Sequence, residues 1–133
     1  MKAIAGIERG IDGTYSIYIE SDNVPFGAIG DGKTVTEAIA DFNNSIEEMK
    51  AYYAEEGKKF PDIEFEFKYD VPSFLQYYAY AFTLAGLERI TGVNQKQLGH
   101  YINGVRKPSD ATIRKIEDRI HAFGKEIASV SFV

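Results

Sequence analysis

The sequence predicts an α+β protein in which a β-β-β-α-β half is followed by an all-helical half, and three observations point there. Ile63, Phe65, Phe67 and Tyr69 alternate with Glu64, Glu66, Lys68 and Asp70, the pattern of a strand with one face buried and one wet. Ile39, Phe42, Ile46, Met49 and Tyr53 recur at steps of three and four, the apolar stripe of an amphipathic helix. Past Pro72 the period changes: Phe74, Leu75, Tyr78 and Phe82 are helically spaced, and the chain then reads as helical. The boundary is placed between Tyr69 and Pro72, giving domains 1–70 and 71–133, with no internal repeat and no Gly/Ser-rich linker.

The elements follow in order. Lys2 to Arg9 and Thr14 to Glu20 are rich in Ile and Tyr and flank Gly10-Ile11-Asp12-Gly13, whose turn chemistry predicts a hairpin. Val24 to Ile29 is expected as a short third strand, closed by the turn residues Gly30-Asp31-Gly32. Thr34-Val35-Thr36-Glu37 fits a capping box, with Thr34 accepting from the third helical N–H and Glu37 reaching back to the cap N–H. The helix it starts is expected to end near Gly57 and to lie on the sheet. In the second half Pro72 suits a first helical turn, and further helices are expected over Leu84 to Thr91, over Asn94 to Asn103, and from Ser109 with Ile113, Ile116, Ile120 and Phe123 inward. Gly124 is expected to end or bend the last helix, and Lys125 to Val133 suits a short helix or a strand equally.

Composition narrows the function classes. With 44% hydrophobic residues in a 133-residue chain there is material for ordinary cores. No apolar run approaches the roughly 20 residues of a membrane span, and MKAIAGIERG lacks the apolar segment of an export signal, so a soluble, cytoplasmic protein is expected. The chain has no cysteine, which excludes disulfides, thiolate zinc sites and cysteine nucleophiles. With only His100 and His121 as histidines, neither a metal nor a cofactor is expected. The net charge of −5 divides unevenly: residues 1–70 hold 7 Lys+Arg against 15 Asp+Glu, or −8, and residues 71–133 hold 8 against 5, or +3. An acidic domain joined to a basic one is a mark of a chain with a nucleic-acid-binding half.

The basic half carries the motif with the most chemistry, Leu87 to Pro108. Gly92 can take the left-handed conformation that lets one helix stop and the next start at a steep angle, and Val93 plugs the junction. Asn94 can cap the next helix, with Gln97 in the capping-box partner position, and Leu98 and Ile102 face the core. Gln95, Lys96 and His100 then point away from it. Gln and Lys match adenine and guanine edges in a DNA major groove, and these three residues are the base-reading candidates. Asn94, Gln97, Tyr101, Asn103, Arg106 and Lys107 are the candidates for phosphate-backbone contacts that set the register.

This segment resembles the Cro-like and XRE-like helix-turn-helix repressors: Gly92-Val93-Asn94, the reading helix, Asn103-Gly104, then Arg106-Lys107-Pro108-Ser109. It departs from them at Glu88, where the family usually has a small residue four before the turn glycine, so either Gly86 takes that packing role or the helices pack differently. With the first half included, nearly the whole chain looks like a HicB-type antitoxin. Carrying that likeness are the strand-Gly-strand opening, Gly30-Asp31-Gly32 with Thr36-Glu37-Ala38, and Ala85 to Pro108. The resemblance implies a partial RNase H-like first domain that covers a small, basic, RNA-cleaving HicA-like toxin. It further implies a second domain that binds the palindromic operator of the pair's own operon, as a homodimer or higher homo-oligomer.

Two other readings compete with this one. Nuclease activity would need carboxylates converging on two metal ions, but Ile4-Ala5-Gly6-Ile7 holds no acid, and Glu8, Asp12, Asp22 and Asp31 fall near strand ends or turns, so no catalytic residue is assigned and no enzyme is expected. A stand-alone dimeric transcriptional repressor, whose first domain senses a small ligand or only dimerises, is the alternative. The aromatic cluster Phe74, Tyr77, Tyr78, Tyr80 and Phe82 suits core and domain packing or a partner surface. Glu47, Glu48, Glu55 and Glu56 with Tyr52 suit a solvated helix face.

Overall fold

A computed structural model describes all residues, 1–133, as a mixed α+β chain. In order come β1 (Lys2–Arg9), β2 (Tyr15–Ile19), β3 (Ile29–Gly32), α1 (Val35–Glu55), β4 (Glu64–Tyr69), α2 (Val71–Tyr77), a 3-10 turn (Tyr78–Tyr80), α3 (Leu84–Thr91), α4 (Gln95–Ile102) and α5 (Asp110–Ala128). The chain forms two compact units, Met1–Ser73 and Phe74–Val133, dividing after Ser73 and not at Asp70. Val71, Pro72 and Ser73 carry no charge, so the −8 and +3 of the two halves also describe the two units.

In the first unit the sheet order is β3-β2-β1-β4, with β1 antiparallel to β2, β2 antiparallel to β3, and β1 parallel to β4. The β1–β2 turn is tied by Gly10 N–H to Thr14 O at 2.8 Å, and Asp12 Oδ1 accepts from the Thr14 hydroxyl at 2.7 Å and N–H at 3.0 Å. These two bonds, the hydroxyl's first, hold the exposed Asp12 carboxyl below the usual carboxylate range.

The register puts Ala3, Ala5 and Ile7 of β1 beside Phe65, Phe67 and Tyr69 of β4, and Ile17 beside both Ile7 and Gly30. The α1 helix covers this face, where the fully buried Phe42 ring sits edge-on to Phe65 and Phe67, with centroids 5.2 and 5.7 Å away. The buried stripe of α1 is Val35, Ala38, Phe42 and Ile46, displaced toward the N-terminus from the expected one. Gly57, at φ +67°, follows the helix as expected.

Two local expectations are corrected. The third strand is Ile29–Gly32, not Val24 to Ile29, so Gly30 and Gly32 are strand residues and not turn residues. Their missing side chains have a packing reason: a Cβ on Gly30 would stand 2.4 Å from Ala38 O and Phe42 N, and one on Gly32 2.6 Å from Ala38 N. The helix backbone lies directly on the strand. Second, Thr34 Oγ1 does accept from Glu37 N–H at 3.1 Å, but Glu37 Oε2 accepts from Lys33 N–H at 2.9 Å, one residue beyond the cap.

The run from Pro72 to Phe82, which begins before the division at Ser73, is not one helix. The α2 helix starts on Asp70, whose Oδ1 accepts from Ser73 N–H at 2.7 Å, and it gives way at Tyr78 to the 3-10 turn. The helices α3, α4 and α5 gather around Leu75, Leu87, Val93, Leu98, Tyr101 and Ile116, all nearly inaccessible. Phe82 meets Phe123 of α5 edge-on at 6.1 Å. Gly124 neither ends nor breaks α5, which runs on to Ala128, and the residues after it form neither a separate helix nor a strand.

Candidate nucleic-acid interface

The turn between α3 and α4 is assembled from local bonds. Thr83 Oγ1 accepts from Gly86 N–H at 3.0 Å to start α3, and Gly92 ends it at φ 73° with its N–H on Glu88 O. At the corner Thr91 is 1% exposed. Its hydroxyl donates to Leu87 O at 2.7 Å and accepts from Val93 N–H at 3.1 Å, stitching the end of one helix to the approach of the next. Val93, at 6% exposure, is the plug.

Two acceptors cap α4. Asn94 Oδ1 takes Lys96 N–H at 2.8 Å, and Glu88 Oε1, from the preceding helix, takes Gln95 N–H at 3.0 Å. A carboxylate at a helix N-terminus satisfies an unpaired donor and meets the positive end of the helix dipole, together worth about 1 kcal/mol. Glu88 therefore has a purpose that a small residue could not serve. Gly86 does not take over close helix packing, since the nearest atom to its Cβ position is Thr83 Oγ1 of its own cap. Only the spatial fold could reveal Glu88 as a cap, because its target lies in the next helix.

The candidate side chains separate into two groups. Asn94, Gln95 and Lys96 are exposed at the start of α4, His100 is half-buried one turn on, and Asn103, Arg106 and Lys107 are exposed beyond its end. At 100° per residue, Lys96, His100 and Asn103 project on one side of the helix, and Gly99 between them presents bare backbone. The loop that carries Arg106 and Lys107 is fixed by Gly104 at φ 73°, with Val105 N–H on His100 O at 2.9 Å.

Tyr101 and Gln97 belong elsewhere. Tyr101 is 2% exposed, a core residue and not a backbone contact, and its phenol oxygen accepts from Gln97 Nε2 at 2.6 Å. Gln97 accordingly spends its amide on satisfying that buried phenol and not on the capping box. One cation was not anticipated: Lys115 of α5 reaches Gly92 O at 3.4 Å, against the negative end of α3. Its nearest sequence signal is only a Lys in an exposed helix position.

No group of three or more His, Asp or Glu is placed to hold a metal ion. Asp12 is engaged in its turn, while Asp31 accepts from Ser16 Oγ at 2.7 Å and donates its N–H to Asp41 Oδ2 at 2.9 Å. On the sheet face away from α1, β-pairing sets Glu8 beside Ser16, Ser16 beside Asp31, and Ile4 beside Glu66. There the Tyr18 phenol is pushed above its ordinary value, first by burial and then by the charges of Glu20, Glu8 and Asp70. No helix is long and apolar enough to cross a membrane. No family model, curated protein or solved structure matches this chain.

Proposed function

We propose that the second unit binds DNA by laying α4 in the major groove, with Gln95, Lys96 and His100 toward base edges and Asn94, Asn103, Arg106 and Lys107 toward phosphates. One observation carries the reading: a short helix opens with capped backbone and free Gln95 and Lys96 side chains, sits on a buried Leu98–Tyr101 core, and follows α3 after a single left-handed glycine. That is the layout of a reading helix. The +3 balance of the unit supports it.

The first unit, by the same proposal, is a partial RNase H-like domain that neutralises a small, basic, RNA-cleaving toxin, so the chain is a HicB-type antitoxin that represses its own operon. In favour stand the −8 charge and the acidic open sheet face around Tyr18, which suit a basic partner. The test is co-expression of the full chain with the small protein encoded beside it. The expected result is co-purification and relief of the neighbour's growth arrest, and neither occurring rules out the antitoxin role.

The stand-alone repressor with a ligand-sensing first domain is favoured by one feature, an open groove of about 650 Å³ lined by Phe26, Met49 and Tyr52 among others. Lack of any small basic neighbouring gene product, with DNA binding intact, would select it.

A further inference from the structure

We propose that the outer edge of β4 is a docking edge, where a basic protein partner adds an extended segment of alternating apolar and Lys or Arg residues to the sheet. The inference rests on the reading of the first unit as the one that binds a basic protein, and deepens it by naming the edge and the kind of segment it takes.

The sheet has two outer strands, and the chain treats them differently. Pairing with β2 turns the Ile29 carbonyl and the Asp31 N–H of β3 outward. Helix α1 closes both: Ser45 Oγ donates to Ile29 O at 2.7 Å, and Asp41 Oδ2 accepts from Asp31 N–H at 2.9 Å. A strand arriving there must first displace side chains already bonded. At the opposite edge β4 has β1 as its one strand neighbour, in parallel register, with Glu64 N–H on Met1 O at 2.9 Å and Asp70 N–H on Ile7 O at 3.3 Å. Alternate residues of a strand face opposite neighbours, so Phe65 and Phe67 direct their N–H and C=O away from β1. No group of the chain bonds to them there. An open row of backbone donors and acceptors is a template for strand addition.

The side chains specify the occupant. In an added strand each residue shares a sheet face with the residue directly across from it. Those across Phe65 and Phe67 lie on the face that α1 covers, beside two rings left half-buried, so apolar side chains there extend the core. Those across Glu64 and Glu66 lie on the other face, beside two exposed carboxylates that form no ion pair in the chain, so Lys or Arg suits those positions. A second copy of the chain is the poorer occupant, because edge-to-edge pairing brings two units of −8 together.

Amide NMR of the full chain, titrated with a blocked Lys-Val-Lys-Val-Lys-Val peptide, tests this. The Phe65 and Phe67 amides are expected to shift and to become protected from exchange, while those of Gly30 and Asp31 stay unchanged. The same residues in blocks, Lys-Lys-Lys-Val-Val-Val, are expected to give no such protection. Glu64→Lys with Glu66→Lys, both on the surface, is expected to weaken the alternating Lys peptide about 10-fold or more and to create binding of Glu-Val-Glu-Val-Glu-Val, a gain that misfolding cannot produce. Lack of protection at Phe65 and Phe67, equal protection by the block peptide, or no switch of preference overturns the proposal. So does protection that rises with chain concentration before any peptide is added, the mark of a second copy on the edge. Co-purification of the neighbouring small protein separates the two readings. If it is equal for wild type and the charge-reversed variant, the edge is wrong and the antitoxin role stands, whereas peptide binding at the edge with no co-purification overturns that role alone.

Discussion

The two units hold their shape by different means. In Met1–Ser73 the helix backbone rests on the sheet at Gly30 and Gly32, and Phe42 is locked between Phe65 and Phe67, so its specificity lies in close approach over a continuous core. In Phe74–Val133 the helices α3 and α4 are only eight residues each, and the buried set is small. Thr83, Asn94, Glu88, Ser109 and the Thr91 stitch anchor their ends. A helix of eight residues is not stable alone in water, so caps and a few core contacts decide whether it forms. The comparison teaches that steric changes should dominate in the first unit and capping changes in the second.

The largest effect should come from Gly30→Val. Its branched side chain must enter space where even a Cβ falls 2.4 Å from helix backbone. The expected loss is several kcal/mol, about 3 or more, in urea unfolding. Amide exchange should accelerate across β1 to β4 while α3 to α5 stay protected, and uniform acceleration would mean that the two units do not fold as separate entities.

Next is Glu88. Replacing it with Ala should lower stability by about 1 kcal/mol and speed exchange at the Gln95 amide, whereas Glu88→Gln, which keeps an acceptor, should lose about half as much. Equal losses for both would show that the charge and not the hydrogen bond matters.

The smallest effect belongs to Asp12, which lies on the surface. Its carboxyl is held below the ordinary value in the folded chain, so its contribution to stability is fully present above the ordinary value near 3.8 and is lost as pH falls through the lowered one. Asp12→Ala should therefore narrow its stability deficit against wild type as the solution is acidified through that window. A deficit independent of pH would locate the effect in the turn backbone.

Which parts were readable in the sequence follows from how local their causes are. The strand at Glu64–Tyr69, the long helix and the boundary between α3 and α4 are encoded by neighbours in sequence, through period, caps and a left-handed glycine, and those residues announce themselves. The third strand was displaced because Gly30-Asp31-Gly32 has the composition of a turn, while its reason for being glycine-rich is a helix lying on it. The parallel pairing of β1 with β4 has no local signature at all. In the candidate interface, Gln95 and Lys96 were legible from spacing. Tyr101 was not, because an amphipathic phenol suits a phosphate or a core equally until its partner, here Gln97, is known. Glu88 looked like a defect when read along its own helix and is a cap when read across to the next.

The central claim is that α4 and the loop after it meet DNA, and the salt dependence of binding tests it most directly. Fluorescence anisotropy of the full chain on the DNA upstream of its gene, titrated over salt, should give sequence-selective binding with a log-log slope near −5. That is the value for about six phosphates neutralised by a dimer at roughly 0.9 per contact. Gln95→Ala with Lys96→Ala should abolish the preference for that DNA over unrelated sequence. Binding that is absent, indifferent to salt, or unchanged in this double variant would contradict the account.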